Sequence, residues 1–111
     1  MSITVVNDYD FKPDGDVRKG KAAAQELVEY FKNEVPEVQL SLWLEDRDNP
    51  FHHYHITVFE SLEALERIKK SEAIKRFVDR LFPHIAHSTY IAPITNVWLA
   101  DGSGVKAVAY S

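Results

Sequence analysis

The stretch that decides the fold is residues 51–85, FHHYHITVFESLEALERIKKSEAIKRFVDRLFPHI, in which the spacing of apolar residues changes at one serine. From His53 to Phe59 the residues alternate between two faces, as they do in a strand. Ser61 follows, and its hydroxyl can accept a hydrogen bond from a backbone N–H group of the first helical turn. After it, apolar residues recur at helical spacing. The stretch therefore predicts a strand that leads directly into a helix.

The segments before this stretch predict a strand, a helix and a second strand. Residues 3–9 have strand composition, and a helix is predicted to begin near Asp16 and to end at Pro36. Alternating residues over 38–45 predict the second strand, which a turn at Asn49–Pro50 should connect to the third. The first half of the chain is thus predicted to be β-α-β.

The segments after Ser61 predict two helical pieces and a fourth strand. The first piece should run to about Lys70, and Ser71 is predicted to cap the second. Residues 89–99 have strand composition, and Pro93 among them indicates an edge position or a bulge. The second half of the chain is therefore predicted to be β-α-β as well.

The complete order is that of a ferredoxin-like α+β subunit, a four-stranded antiparallel sheet with helices on one face. We expect one domain over residues 1–111, with a core over 3–99 and a tail over 100–111 that is either a short extra strand or a disordered end. The helices leave the other sheet face bare. We therefore expect a homodimer in which two sheets stack.

The second and third strands each have two chemically different faces. If Glu45 pairs with Phe51, Trp43 lies opposite His53 and Ser41 opposite His55. The apolar face is predicted to seat the helices, and it contains Val38, Leu40, Leu42, Tyr54, Ile56 and Val58. The mixed face is predicted to meet a second chain, and it contains Gln39, Ser41, Trp43, His53, His55, Thr57 and Phe59.

Composition excludes several classes of function. The net charge of −4 supplies no basic surface for nucleic acid, and no apolar run is long enough to cross a membrane. We therefore expect a cytoplasmic protein that binds neither nucleic acid nor membranes. The absence of cysteine excludes disulfides and thiolate zinc sites. With four glycines and no phosphate-binding loop or nucleophile elbow, the chain offers no support for a kinase, dinucleotide enzyme or hydrolase.

The densest group of ionisable side chains near neutral pH is the histidine cluster of the third strand. His53 and His55 share a strand face and could present two imidazoles to a metal, with Glu45 as the nearby carboxylate. The alternative is that both pack at the dimer interface, hydrogen-bonded to Ser41 or Thr57. We favour packing and expect no metal site.

Asn7 is the best candidate for a polar group inside a pocket under the helices, because it shares strand parity with Ile3 and Val5. Its amide could orient a substrate oxygen or stabilise negative charge that develops during oxygen attack. The alternative is an asparagine that simply bonds backbone at a strand end. Further candidates to contact a substrate, or otherwise core residues, are Tyr54, Tyr90, Trp98, His53, His55 and Trp43.

The block VFESLEALERIKKSEAIKRF, residues 58–77, resembles a scaffold motif of the dimeric α+β barrel superfamily, most closely its antibiotic biosynthesis monooxygenase branch. This resemblance implies a homodimer. It also implies a cofactor-independent monooxygenase for a small aromatic or polyketide-like molecule, with Asn7 as the catalytic residue and no cofactor. The branch contains haem-degrading enzymes and small proteins without an established role as well.

Departures from the family pattern bear on activity. Haem-degrading members use a first-strand asparagine, which Asn7 matches, but Ile68 and Val78 stand where they have a tryptophan and a histidine, which disfavours haem degradation. Thr57 replaces a common strand glutamate, and Ile74 stands where a related cyclase has its histidine. The sequence therefore leaves open a noncatalytic small-ligand-binding or structural homodimer.

Overall fold

A computed structural model describes residues 2–96 and 98–107 as an antiparallel sheet with helices on one side. The elements in chain order are β1 (Ile3–Phe11), α1 (Val17–Glu34), β2 (Val38–Asp46), β3 (Asn49–Phe59), α2 (Leu62–Ile68), α3 (Glu72–Leu81), a 3-10 turn (Phe82–His84), β4 (Ile85–Thr95), β5 (Trp98–Asp101) and β6 (Gly104–Ala107). The sheet order is β2-β3-β1-β4, and β5 and β6 form a separate hairpin. The predicted ferredoxin-like α+β fold is confirmed. Among the described residues, no helix is both long and apolar enough to span a membrane.

Each helix begins at a side chain that the sequence marks as a cap. Asp16, Ser61 and Ser71 each accept a hydrogen bond from the backbone N–H group three residues further along, at 3.2, 3.1 and 3.4 Å. These bonds satisfy donors that the first helical turn leaves without a partner. The predicted helix starts near Asp16 and after Ser61 and Ser71 are therefore confirmed.

The helices cover the sheet face opposite to the one predicted. His53, His55 and Thr57 are only 0, 3 and 3% exposed, whereas Leu42 and Leu44 are each 41% exposed on the other side. We call the side that carries His53, His55 and Thr57 the covered face, and the side that carries Leu42 and Leu44 the open face. The prediction that the apolar face of β2 and β3 seats the helices is wrong, and so is the placement of both histidines on the face turned away from them.

The central strand β1 explains why the mixed face is covered. Val5 pairs with Thr57 and Tyr9 pairs with His53, so these side chains share one face of the sheet. Val5 and Tyr9 are each 4% exposed. The apolar residues that seal this side therefore come from β1 and the helices, and the polar side chains of β3 are buried beneath them.

The β2–β3 hairpin is paired two residues away from the predicted register. Trp43 pairs with His55 rather than with His53, and the turn is Arg47–Asp48, while Asn49–Pro50 already belong to β3. Because side chains alternate with a period of two, an even shift leaves every residue on the face that alternation assigned to it.

Strand β4 begins at Ile85, earlier than predicted, and lies at the edge of the sheet. Its pairing with β1 shifts register across Pro93, so the proline occupies both an edge and a bulge, as its chemistry requires. Residues 98–107 form the β5–β6 hairpin, so Trp98 and Leu99, which were predicted to end the fourth strand, belong to β5 instead. Residues 100–107 of the predicted tail contribute to both of these strands. The end of the predicted tail, residues 108–111, lies outside the described residues.

Helix α1 approaches the sheet closely at Gly20. A Cβ atom there would overlap the ring of Phe11, so only glycine allows this contact. The Phe11 ring in turn meets His53 edge-on, with 4.9 Å between ring centroids. Leu81 of α3, which is fully buried, packs into the same core. These contacts hold the helices above the middle of the covered face, where the candidate site lies.

Candidate active site

Four side chains form a row across the covered face. Asn7 of β1 pairs with His55 of β3 on one side and with Tyr90 of β4 on the other. His55 pairs in turn with Trp43 of β2. Directly paired residues point to the same side of an antiparallel sheet and are near neighbours. The row therefore brings together four of the residues that the sequence singles out.

A cavity of about 280 Å³ lies between this row and the helices. The side chains that line it from above belong to the helices, to Lys69 directly after α2 and to the 3-10 turn: Leu27, Phe31, Leu65, Ile68, Lys69, Ile74, Phe77, Val78 and Phe82. Those that line it from the sheet are Val5, Asn7, Tyr9, His55, Thr57, Phe59, Ser88 and Tyr90. A largely apolar cleft with a few convergent polar groups is the usual form of a small-molecule site.

His55 is held on the cavity floor by two hydroxyl groups. Its Nε2 atom lies 2.9 Å from Ser41 Oγ and 3.1 Å from Thr57 Oγ1. His55 thus has the hydrogen-bond partners that were predicted, but it lies under the helices and not on the face predicted to meet a second chain. The ring stacks on Phe31 with 6.3 Å between centroids. Burial lowers the pKa of His55 from 6.5 to about 4, because the charged imidazolium is poorly solvated there. At neutral pH His55 is therefore an uncharged hydrogen-bonding group.

His53 has a structural role instead. Trp43 Nε1 donates to His53 Nδ1 at 2.8 Å, and His53 Nε2 lies 2.9 Å from the carbonyl oxygen of Pro50. Nδ1 is thus the acceptor, and the hydrogen is on Nε2. Glu45 Oε1 lies 3.5 Å from the same Nε2. His53 therefore joins β2 to β3 and, unlike His55, is not among the residues that line the cavity.

Potential metal ligands meet on the open face rather than at the site. The ligand atoms of Asp8, Asp10 and His52 lie within 4.8 Å of one another. His52 Nδ1 contacts Asp10, and its Nε2 lies 3.4 Å from Asp8 Oδ1. Within residues 2–96 and 98–107, no group of three ligating side chains includes His53 or His55. The metal alternative for that pair therefore has no third ligand in the described structure.

Tyr54, one of the predicted substrate contacts, does not join the row. Tyr54 pairs with Asp8 and Leu44 on the open face, and its ring lies 4.7 Å from that of His52. The structure therefore places Tyr54 on the far side of the sheet from Asn7, because it differs from His55 by one strand position. Trp98 belongs to β5, and its side chain lies outside the described residues.

Tyr9 is a cavity residue that the sequence reading missed. It is 4% exposed and stacks on Trp43 with 5.3 Å between ring centroids. Burial, and secondarily the nearby Tyr90, raises the pKa of the Tyr9 phenol well above its ordinary value, so the hydroxyl keeps its proton. Tyr9 follows Asn7 by two residues on β1, so the two side chains lie on the same face of the strand. This spacing was the signal that could have identified Tyr9.

The architecture and the cavity define a class, the ferredoxin-like α+β subunits with a small-molecule pocket between helices and sheet. A model of the antibiotic biosynthesis monooxygenase family matches residues 2–80, and the chain belongs to this family. No curated protein matches the chain.

Three solved structures show the likeness in fold. One is a candidate antibiotic biosynthesis monooxygenase from B. thetaiotaomicron VPI-5482, 12% identical with a TM-score of 0.76 over 84% of this chain and 88% of that one. Another antibiotic biosynthesis monooxygenase is 22% identical with a TM-score of 0.72 over 80% and 93%. A variant of SnoaB, a cofactor-independent oxygenase from Streptomyces nogalater, is 15% identical with a TM-score of 0.69 over 82% and 91%. At these identities the likeness establishes the fold alone.

Proposed function

We propose that this protein is a cofactor-independent monooxygenase-like enzyme that acts on a small aromatic or polyketide-like molecule. The observation that carries the proposal is the position of Asn7, on the floor of a largely apolar cavity between His55 and Tyr90. Aromatic side chains such as Phe31 and Phe77 have ring faces on which a planar ligand can stack. Membership of the family, and likeness in fold to the oxygenase SnoaB, support the same reading.

Asn7 is proposed as the catalytic residue. Its side-chain amide can donate a hydrogen bond to a substrate oxygen and stabilise the negative charge that develops when the substrate reacts with dioxygen. Because Asn7 is only partly exposed, this interaction should be stronger than on the open surface. His55 and Tyr90 line the cavity beside Asn7 and are proposed to contact the substrate directly. Trp43 is not among the lining residues; it completes the row behind them and stacks on the lining residue Tyr9.

The test is ligand binding and oxygen consumption with matched asparagine variants. Aromatic polyketides and quinols that raise the melting temperature by several degrees should lose that effect in Asn7→Ala, and oxygen uptake should fall by roughly 100-fold. Asn33→Ala is the control, because Asn33 is an exposed asparagine on α1. Equal responses of Asn7→Ala and the wild-type protein would contradict a catalytic Asn7.

A noncatalytic small-ligand-binding or structural homodimer is the second candidate. By the family resemblance, Ile68, Ile74 and Val78 fall where related enzymes have tryptophan or histidine, and all three line the cavity. Aliphatic side chains there can contact a ligand but cannot transfer protons. Ligands that raise the melting temperature while no tested aromatic compound drives oxygen uptake would favour this candidate.

We also propose a homodimer in which the open faces of two subunits meet. Leu40, Leu42, Leu44 and Ile91 are exposed there, and association of two such faces would remove them from water. Leu42→Asp should give monomers in sedimentation velocity. Leu62→Asp is the control and should leave the dimer intact. Leu62 is as exposed as Leu42, at 43% against 41%, but it lies on α2 and not on the open face.

The protein is expected in the cytoplasm, which cell fractionation would test.

A further inference from the structure

The two ring nitrogens of His55 have different environments. Both hydrogen bonds of the ring use Nε2, which faces Ser41 Oγ and Thr57 Oγ1. Among residues 2–96 and 98–107, no group hydrogen-bonds Nδ1, and the buried side-chain polar atom without a partner in that part of the chain is Asp8 Oδ1. Nδ1 therefore faces open space, and the open space beside His55 is the cavity.

We propose that His55 and Asn7 form a two-donor site for one ionised oxygen of an aromatic ligand, with His55 donating through Nδ1–H and Asn7 through its side-chain N–H group. The two residues are direct cross-strand partners, so their side chains leave the sheet side by side. The inference rests on the proposed function, since it names a second donor and a substrate class, phenolates and enolates, for the same site.

Ser41 and Thr57 are positioning residues in this proposal. A hydroxyl group can rotate to donate, and either of these can donate to Nε2. When Nε2 accepts, the ring hydrogen of a neutral imidazole is on Nδ1, where it points to the cavity rather than to the protein. A neutral imidazole used in this way stabilises an oxyanion without taking up a proton, which suits a group whose pKa burial has lowered.

The other titratable groups that line the cavity do not replace this pair. Tyr9 is buried and keeps its proton, and Tyr90 is 53% exposed at the edge strand. Lys69 follows α2, is about half exposed, and its Nζ lies 3.4 Å from Glu66 Oε2. An anionic oxygen beside Asn7 and His55 would therefore be stabilised mainly by uncharged donors rather than by a cation.

The probe is 4-nitrophenol, which is yellow only when ionised. At a pH where most free 4-nitrophenol is protonated, the wild-type protein should bind it as the phenolate. Binding should favour the anion at least ~10-fold and so lower the apparent pKa of 4-nitrophenol. His55→Ala should remove this preference, and His55→Gln should restore part of it because glutamine keeps an N–H donor. The double change Ser41→Ala with Thr57→Val should weaken it while leaving His55 in place.

Lys69→Met is the control, because it removes the cation of the lining and leaves the row intact. If Lys69→Met rather than His55→Ala abolishes the preference, the inference is wrong. Binding of 4-nitrophenol only in its neutral form would overturn the two-donor site but leave the proposed function standing, since oxygen uptake is measured separately. Failure of wild-type protein to bind it would overturn the inference too, as would nitrogen-15 shifts that put the ring hydrogen of His55 on Nε2.

Discussion

The covered and open faces of the sheet differ in the opposite way from what hydrophobicity alone would lead one to expect. The covered face buries His53, His55 and Thr57, while the open face exposes leucines of β2 such as Leu42 and Leu44. The buried polar groups are tolerated because they are hydrogen-bonded to one another or to nearby backbone. The comparison teaches that β3 can turn hydrogen-bonded polar side chains toward the helices when the neighbouring central strand supplies apolar residues on the same side.

The largest expected difference between the faces is in packing. Leu81→Ala should lower the free energy of unfolding by about 3 kcal/mol, because Leu81 is fully buried beneath the helices. Leu42→Ala on the open face should cost under about 1 kcal/mol in the monomer, as Leu42 is 41% exposed. Urea unfolding at low protein concentration measures both. Equal costs would mean that the open face is already covered within one chain.

Acid should destabilise the covered face through His55. The pKa is about 4 in the folded protein and 6.5 when the ring is free, so below pH 6.5 the unfolded state binds a proton that the folded state does not. Stability is thus retained above pH 6.5 and lost as the pH falls toward 4, by about 2 kcal/mol between pH 7 and pH 5.

Comparison of unfolding free energies for wild-type protein and His55→Gln across this range isolates the effect. The variant should lack this part of the pH dependence. Parallel curves for the two proteins would show that His55 titrates alike in both states and is therefore not buried as described.

Loss of the buried histidine that joins β2 to β3 should have a moderate cost. His53→Leu leaves Trp43 Nε1 without its acceptor, so the free energy of unfolding should fall by about 1.5 kcal/mol. Trp43→Phe in the same background removes the orphaned donor, and a double-mutant cycle should then show that the two costs are not additive. Strict additivity would argue against an energetically significant hydrogen bond.

The smallest expected effect is on ligand affinity. Two tyrosines on opposite faces of the sheet provide a matched comparison. Tyr90→Phe should weaken binding of a hydroxylated aromatic ligand by about fivefold, because Tyr90 lines the cavity and would lose one neutral hydrogen bond. Tyr54→Phe should leave affinity unchanged, since Tyr54 lies on the open face. Isothermal titration calorimetry distinguishes the two variants. A loss of affinity in Tyr54→Phe alone would place the site on the open face instead of the covered face.

Strand parity predicted the position of Asn7 but not the rest of the candidate site. Parity with Ile3 and Val5 indicated that Asn7 faces the helices, and the row then adds Trp43, His55 and Tyr90 across the strands. Parity alone could not assign Tyr54 to a pocket beside Asn7, because that requires knowing which residues of β3 pair with β1. Whether this row is a catalytic site stays a prediction.

The sequence by itself determined the order of the elements and the ends of most of them. Caps such as Ser61 and Ser71 act through hydrogen bonds to residues three positions away, and the change of period at Ser61 is equally local. Such signals do not depend on the rest of the fold. They also indicated that each strand has two faces of different chemistry.

Only the tertiary structure decided which face lies under the helices. An alternating strand is compatible with burial of either side, so the choice depends on partners that are distant in sequence. Here β1 lies between β3 and β4, and its apolar residues Val5 and Tyr9 share the side of Thr57 and His53. Burying that shared side brings the apolar residues of the central strand and the helices together, and the hydrogen-bonded side chains of β3 are buried with them.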